Sequence, residues 1–289
     1  MSDKNIIFCG LSKNSGLVLK KNLNFLVNFI NFSELNIKVF LVDTDSDMEI
    51  KNFLINLTKN NSSFNVFNED DLDSKINSRL KRITMCRNLC LKYIYDNFNF
   101  KNVIYIPFDT DLDLFENTSM KKLEEKIIKV INEKNIQALF PISTPRYYDI
   151  LALRAEGWVK YNSQLLNHKL KKFFKLGSFV LNYLFVFRHQ WSIQKIKSKE
   201  INILSAFGGI AIYDLSKNKN KIFYETSQKD TEFVSEHVKF NSYFENKFLD
   251  TNWIVEAPKE HTEFHTLNIK NKFIYFFKTI KSDVLSIWN

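Results

Sequence analysis

The chain has 289 residues, of which 45% are hydrophobic and 15% aromatic, enough apolar material for one large α/β domain or two small ones, which excludes global disorder. Its formal net charge is +9 and its pI about 9.2, a balance that suits anionic partners such as nucleotides, phospholipid head groups or nucleic acid. Lys, Asn, Ile and Phe are abundant while Gly (6) and Pro (4) are scarce, so an AT-biased coding sequence accounts for the charge equally well, and charge alone decides nothing.

The three cysteines, Cys9, Cys86 and Cys90, form no CxxC pair and complete no zinc-ligand spacing, which predicts a reducing, cytoplasmic setting. Met1 to Asn5 lacks a charged region followed by an apolar stretch and so predicts no signal peptide. No window approaches the ~20 apolar residues of a membrane span.

Asn5 to Cys9, closed by Gly10, reads as a buried parallel strand. Gly16 to Phe32 carries Leu19, Leu23, Leu26, Val27 and Ile30 at helical spacing. A second strand, Ile37 to Val42, ends in the acidic loop Asp43 to Asp47. A helix from Met48 to Lys59, a short strand from Phe64 to Phe67 and a long helix from Arg79 to Phe98 follow. Val103 to Pro107 is another buried strand, and it delivers the chain into Asp109, Asp111 and Asp113. After a helix from Ser119 to Asn132 comes a strand from Ala138 to Ile142, then the loop Ser143 to Tyr148. Residues 164–199 are basic and aromatic, with Lys169, Lys172 and Lys175 around Phe173, Phe174 and Phe179. Ile203 to Tyr213 is an apolar strand region broken by Gly208-Gly209. The tail, 268–289, mixes Lys with Phe, Tyr and Trp288.

Alternating strands and helices predict a parallel sheet covered on both faces. Ligands of such sheets sit beyond the carboxyl ends of the strands. Both acidic loops fall on that edge. In extended backbone alternate side chains point the same way, so Asp109 and Asp111 are expected to converge on one hard cation, Mn²⁺ or Mg²⁺, which takes oxygen ligands and bridges to phosphates. Asp113 has the same parity but reads as a solvated loop carboxylate.

Two resemblances rest on these residues. The helix with Arg87-Asn88, the strand ending in Asp109-Thr110-Asp111 and the loop 41–47 resemble the corresponding elements of family-2-type glycosyltransferases. Tyr147-Tyr148-Asp149-Ile150-Leu151-Ala152-Leu153-Arg154, the small-residue segment 206–213 and Ser235-Glu236-His237 resemble, in order, motifs of the fungal capsule-associated mannosyltransferase family and its bacterial relatives. That family shows Trp-Asn-Gly where this chain has Phe207-Gly208-Gly209, and Ser-Glu-Cys where it has Ser235-Glu236-His237.

These resemblances imply a GT-A fold, a mixed, mostly parallel Rossmann-like sheet flanked by helices. They imply a domain over 1–267, with a nucleotide-binding half (1–143), an acceptor half (144–267) and a basic amphipathic tail. They also imply a divalent metal, a nucleotide-sugar donor and a glycan or lipid-linked acceptor, with no nucleic acid. Gly10 and Ser12, with Asp43 or Asp47, are expected at base and ribose, Arg87 at the diphosphate, and Asp109 and Asp111 at ribose and metal. Tyr148, Asp149 and Arg154 are expected around the sugars, although Asp149 and Arg154 equally suit a structural ion pair. Gly208 and Gly209 would let backbone approach the sugar, or form a bulge. Glu236 is the expected carboxylate on the acceptor, as general base in an inverting enzyme, with Asp149 as second catalytic candidate. His261 and His265, four apart, are expected as further metal ligands on one helix face. The basic aromatic segments would rest on an anionic membrane surface, or simply pack on the domain. A nucleotidyltransferase and a nucleic-acid-binding module are the competing readings. The first wants a Gly-rich phosphate loop, which residues 10–16 provide poorly. The second meets two acidic loops that repel phosphate.

Overall fold

In the computed structural model, which describes residues 4–171, 177–196, 198–226 and 234–288, strands alternate with helices from the first residues onward. Strands β1 (Asn5–Ser12), β2 (Asn36–Asp43), β3 (Phe64–Asn68) and β4 (Val103–Asp109) are joined by helices α1 (Gly16–Phe32), α2 (Met48–Asn60), α3 (Leu72–Lys75) and α4 (Arg79–Asn97). Helix α5 (Met120–Asn132) leads into β5 (Ala138–Thr144). Beyond it lie α6 (Ser163–Lys171), α7 (Ser178–Phe185), β6 (Glu200–Asn202), β7 (Ile212–Asp214), α8 (Glu236–Asn241), β8 (Lys247–Glu256), α9 (Lys259–Thr266) and α10 (Ile269–Trp288). Lys172, Phe173, Phe174 and Lys175 lie outside the described residues, as does the side chain of Trp288.

One eight-stranded sheet, in the order β3-β2-β1-β4-β7-β5-β8-β6, runs through both halves of the chain. The expected mixed, mostly parallel α/β architecture is present, and β7 pairs antiparallel with both β4 and β5. The two-residue period of extended backbone builds its two cores. Ile6 and Phe8 of β1, with Ile104 and Ile106 of β4, meet Leu19, Leu23 and Leu26 of α1 and Ile127 of α5. Ile7 and Cys9, with Val103 and Tyr105, face the other way and meet Cys90, Leu91 and Ile94 of α4.

Most sequence boundaries hold to within three residues; the strands run further toward the ligand edge. Ile203 to Tyr213 departs more. Only Ile212–Asp214 is strand there, because Gly208 (φ +72°) and Gly209 (φ +85°) take backbone conformations that no strand uses. Among the described residues no helix is long and apolar enough to cross a membrane.

Gly10 sits in a closely packed part of the fold. A Cβ at Gly10 would lie 2.7 Å from Phe108, 2.8 Å from Leu41 and 2.9 Å from Thr110. Gly10→Ala should therefore lower stability by about 1–3 kcal/mol, as overpacking does. Chemical denaturation measures this, and an unchanged midpoint would show that the three side chains give way freely.

Candidate active site

The carboxyl ends of β1, β2 and β4 and one face of α4 enclose a cavity of about 440 Å³. Its walls combine Asp109, Asp111, Asp149 and Glu236 with Lys13, Arg79, Arg82 and Arg87. Asp109 and Asp111 both line it, while Thr110 between them is 1% exposed and donates its hydroxyl to the Leu11 carbonyl (2.6 Å). Both carboxylates thus line one cavity, but β4 ends at Asp109 and Thr110-Asp111 form a turn, so the extended alternation read from the sequence does not reach Asp111. The end of β4 is held from the other side, where the Asp109 amide donates to the Gly209 carbonyl (2.7 Å). A Cβ on Gly209 would approach Leu112 to 2.6 Å, so the glycine permits this close docking. The Gly208 amide is taken by Asp149 (3.2 Å). The two glycines therefore position Asp109 and Asp149, and neither lines the cavity.

Arg87 is the hinge of the electrostatics. Its Nη2 donates to Asp109 Oδ1 (3.0 Å) and its Nε to Glu236 Oε1 (2.9 Å). The guanidinium carbon sits 4.8 Å from the Phe207 ring centroid, on a residue only 4% exposed. Burial works against this charge, but the Glu236 and Asp109 carboxylates outweigh it and raise the pKa well above the ordinary value. The neighbouring Asn88 pairs its amide with the Tyr224 N–H (2.8 Å) and C=O (2.9 Å), fixing Tyr224 against α4.

One arginine faces several carboxylates here. Burial pushes the Asp109 carboxyl up to about 7; Arg87 opposes this, and the charges of Asp111, Glu236 and Asp149 add to it. Burial also raises Asp149, although the Gly208 and Ala152 amides donate to it. The usual value for Asp109 is 3.8, so between that pH and about 7 the folded state keeps a proton that the unfolded chain has released. The contribution of this group to stability is full below that window and is lost as pH rises through about 7. With a chelator present, the wild type should lose stability with rising pH across the window, and Asp109→Asn should flatten that slope. Denaturation curves at several pH values check this; parallel slopes in the two proteins would contradict it.

The remaining expected residues divide clearly. Ser12, Tyr148 and Asp149 line the cavity. Asp43 lies just behind Ser12 and Thr44, fully buried; Oδ1 accepts from the Ser46 hydroxyl (2.6 Å), and burial raises its carboxyl while hydrogen bonding to Ser46 and Ser12 opposes the rise. Asp47 instead caps α2, accepting the Ile50 amide (2.9 Å), a placement away from the cavity walls. Arg154 makes no ion pair with Asp149. Its guanidinium donates to the carbonyls of Leu151 (3.1 Å) and Leu153 (2.6 Å), and it does not line the cavity. His261 is exposed, with its ring stacked on Tyr148 at 5.7 Å. His265 bonds Gln190 (3.0 Å) and stacks edge-on against Phe187 and Phe264. Burial, with the charges of Arg146 and Lys272, lowers it to about 4. The helix α9 has the expected spacing, but its two histidines serve different surroundings. Asp113 pairs with Lys21.

Sequence reasoning missed the basic part of the wall. Arg79, Arg82, Ile83, Cys86 and Arg87 recur at spacings of three, four, seven and eight, one face of α4 turned to the cavity. Of these, Arg87 was the one expected at the diphosphate; the same spacing in the sequence marks its neighbours on this face. Asp73 of α3 holds Lys13 and Arg82 in place (2.8 Å from Arg82). His237 was also missed: it stacks on Phe207 at 3.7 Å, is 2% exposed, and its Nε2 lies 3.4 Å from Glu236 Oε1. Burial and then the Arg87 charge lower its pKa well below the ordinary value, so it stands neutral. Among the described residues, no three His, Cys, Asp or Glu side chains gather closely enough to hold an ion unaided.

No protein-family model matches the chain, and no curated protein matches it. Solved structures are similar to it at low identity. A Staphylococcus aureus TarS fragment in complex with UDP-GlcNAc is 13% identical over 98% of this chain and 66% of its own, with a TM-score of 0.48. An active-site mutant of LgtC is 10% identical over 91% of this chain and 78% of its own (TM-score 0.41). Glucosyl-3-phosphoglycerate synthase from Mycobacterium tuberculosis, in complex with Mg²⁺ and UDP, is 10% identical over 73% of this chain and 57% of its own (TM-score 0.37). The chain spans a little under two thirds of the TarS fragment.

Proposed function

We propose that the protein is a GT-A-type glycosyltransferase that moves a sugar from a nucleoside-diphosphate donor to a glycan or lipid-linked acceptor. The observation that carries this reading is the shared wall of Asp109 and Asp111 at the carboxyl end of β4, in one cavity with Lys13, Arg79 and Arg82. Carboxylates and cations mixed in this way suit a pyrophosphate with a bridging ion and suit a bare polyanion poorly.

The donor set fits a divalent ion. Two carboxylates with oxygen donors, one of them freely hydrated, match the way Mg²⁺ is bound by one or two carboxylates plus substrate phosphates in place of a full protein cage. Asp109 and Asp111 would hold it, and when bound it offsets the negative charge that builds on the departing diphosphate. Arg87 keeps Asp109 and Glu236 in fixed positions, so the reacting geometry is set before substrate arrives. Lys13, Arg79 and Arg82 supply donors for phosphate oxygens. Ser12, on the cavity wall with the buried Asp43 behind it, would lie beside the base or ribose. Tyr148 and Asp149 would accept hydrogen bonds from a sugar.

Glu236 would take the proton from the acceptor hydroxyl. Glu236→Gln, whose amide oxygen still accepts from Arg87, should then cut kcat by about 10²-fold while leaving donor binding near normal. A near-normal rate would remove Glu236 from this role.

Thermal stabilisation by UDP-, GDP-, CMP- and dTDP-sugars, with and without Mn²⁺, tests the reading. One sugar nucleotide should raise the melting temperature in a Mn²⁺-dependent way. Stabilisation by nucleoside triphosphates alone would favour nucleotidyl transfer instead.

A further inference from the structure

The helix α10 has an inner seam and an outer face of unexpected composition. Tyr275, Phe276, Thr279, Ile280 and Asp283 recur at three- and four-residue spacing and are half-buried or buried. Along this seam Phe276 and Tyr275 meet Phe179 of α7, with ring centroids 5.0 and 6.2 Å apart, and Asp283 accepts the Ser178 amide (3.1 Å). A helix docked by such a stripe ordinarily shows polar residues on its other side. Here the other side carries Phe273 (59% exposed), Ile274 (44%) and Phe277 (64%). Lys270, Lys278 and Lys281 lie among them, also exposed. From Thr266 to the end of α10 the one acidic residue is Asp283, and it belongs to the buried seam. The adjoining α7 adds Val180 and Tyr183, 53% and 47% exposed.

We propose that this face is a docking surface for an anionic lipid bilayer. Its charge is of one sign, which selects a negative partner. Its apolar residues stand between the lysines, so a partner must accept hydrocarbon and cation on the same strip. A bilayer boundary does both: Phe273, Ile274 and Phe277 enter the acyl boundary while the lysine stems carry their ammonium groups back to the phosphates. Nucleic acid would leave these apolar side chains in water. Helix α10 lies on the surface and does not span it, in keeping with the lack of a membrane-spanning helix among the described residues. The preceding α9 ties this element to the cavity wall through the His261–Tyr148 stack. The inference stands independently of the chemistry proposed for the cavity.

Co-sedimentation of the full chain tests it, with vesicles of phosphatidylcholine alone and with about 30% phosphatidylglycerol. The wild type should partition at least about tenfold more strongly onto the anionic vesicles, and less so as salt rises. Replacing Lys270, Lys278 and Lys281 together by Ala should weaken this by about a hundredfold, from roughly fivefold per lysine. Phe273→Ser with Phe277→Ser should weaken it at least about tenfold while leaving the melting temperature unchanged, since both residues are exposed. Absence of vesicle binding, or equal binding to both compositions, overturns the proposal. So does a dimer in solution that the Phe273→Ser, Phe277→Ser variant dissolves, which would assign the face to a second copy of the chain.

Discussion

Replacement of Arg87 by Met should cost about 3–5 kcal/mol of folding stability, the range seen when one partner of a buried ion pair is removed. The guanidinium donates to both Asp109 and Glu236, at 3.0 and 2.9 Å. Met fills much of the same volume against Phe207 but leaves two carboxylates close together without their cation. Asp109 would partly recover by taking up a proton, since burial already pushes its carboxyl up to about 7 with Arg87 in place. The loss should therefore be smaller at pH 5 than at pH 8, a dependence that a simple packing defect would not show. Urea denaturation at the two pH values measures both. A loss under about 1 kcal/mol at both would mean that Arg87 contributes little to holding the site together.

Asp111→Asn has the opposite profile. Asp111 is exposed, and among the described residues none forms a side-chain hydrogen bond or ion pair with it, so stability should stay within about 0.5 kcal/mol of wild type. Turnover should fall by roughly 10³-fold, because an ion that stabilises the departing diphosphate contributes several kcal/mol to the transition state, and about 4 kcal/mol corresponds to that factor. Rate measurements over a range of Mn²⁺ concentrations separate weakened ion binding from a lost role. Full activity in the variant with the metal chelated would remove the ion from the mechanism.

The sequence made legible what depends on local periodicity. Helix α1 ran from Gly16 to Phe32 as read, because its leucines repeat at helical spacing. The strand that delivers Asp109 to the ligand edge was legible from its apolar run, whereas the turn at Thr110-Asp111 that follows it was not. What stayed hidden depends on partners distant in the chain. Strand β8 was unread because Asp250-Thr251-Asn252 interrupts its apolar run, where the pairing with β5 shifts register between Pro141 and Ile142. The strand region read over Ile203 to Tyr213 shrinks to the short β7, which β4 and β5 flank. Spacing put His261 and His265 on one helix, but it could not show that Phe187, Phe264 and Gln190 surround His265. The separation of Asp149 from Arg154 likewise depends on Gly208, fifty-nine residues from Asp149, offering its amide.

The most direct test of the account is calorimetric titration of Mn²⁺ into the protein with and without the nucleoside diphosphate of the best-stabilising donor. Bound diphosphate should tighten Mn²⁺ binding at least about tenfold in the wild type, since phosphate oxygens complete a site that two carboxylates leave open, and this gain should vanish in Asp111→Asn. Equal Mn²⁺ affinity with and without nucleotide, or the same gain in the variant, would contradict the account.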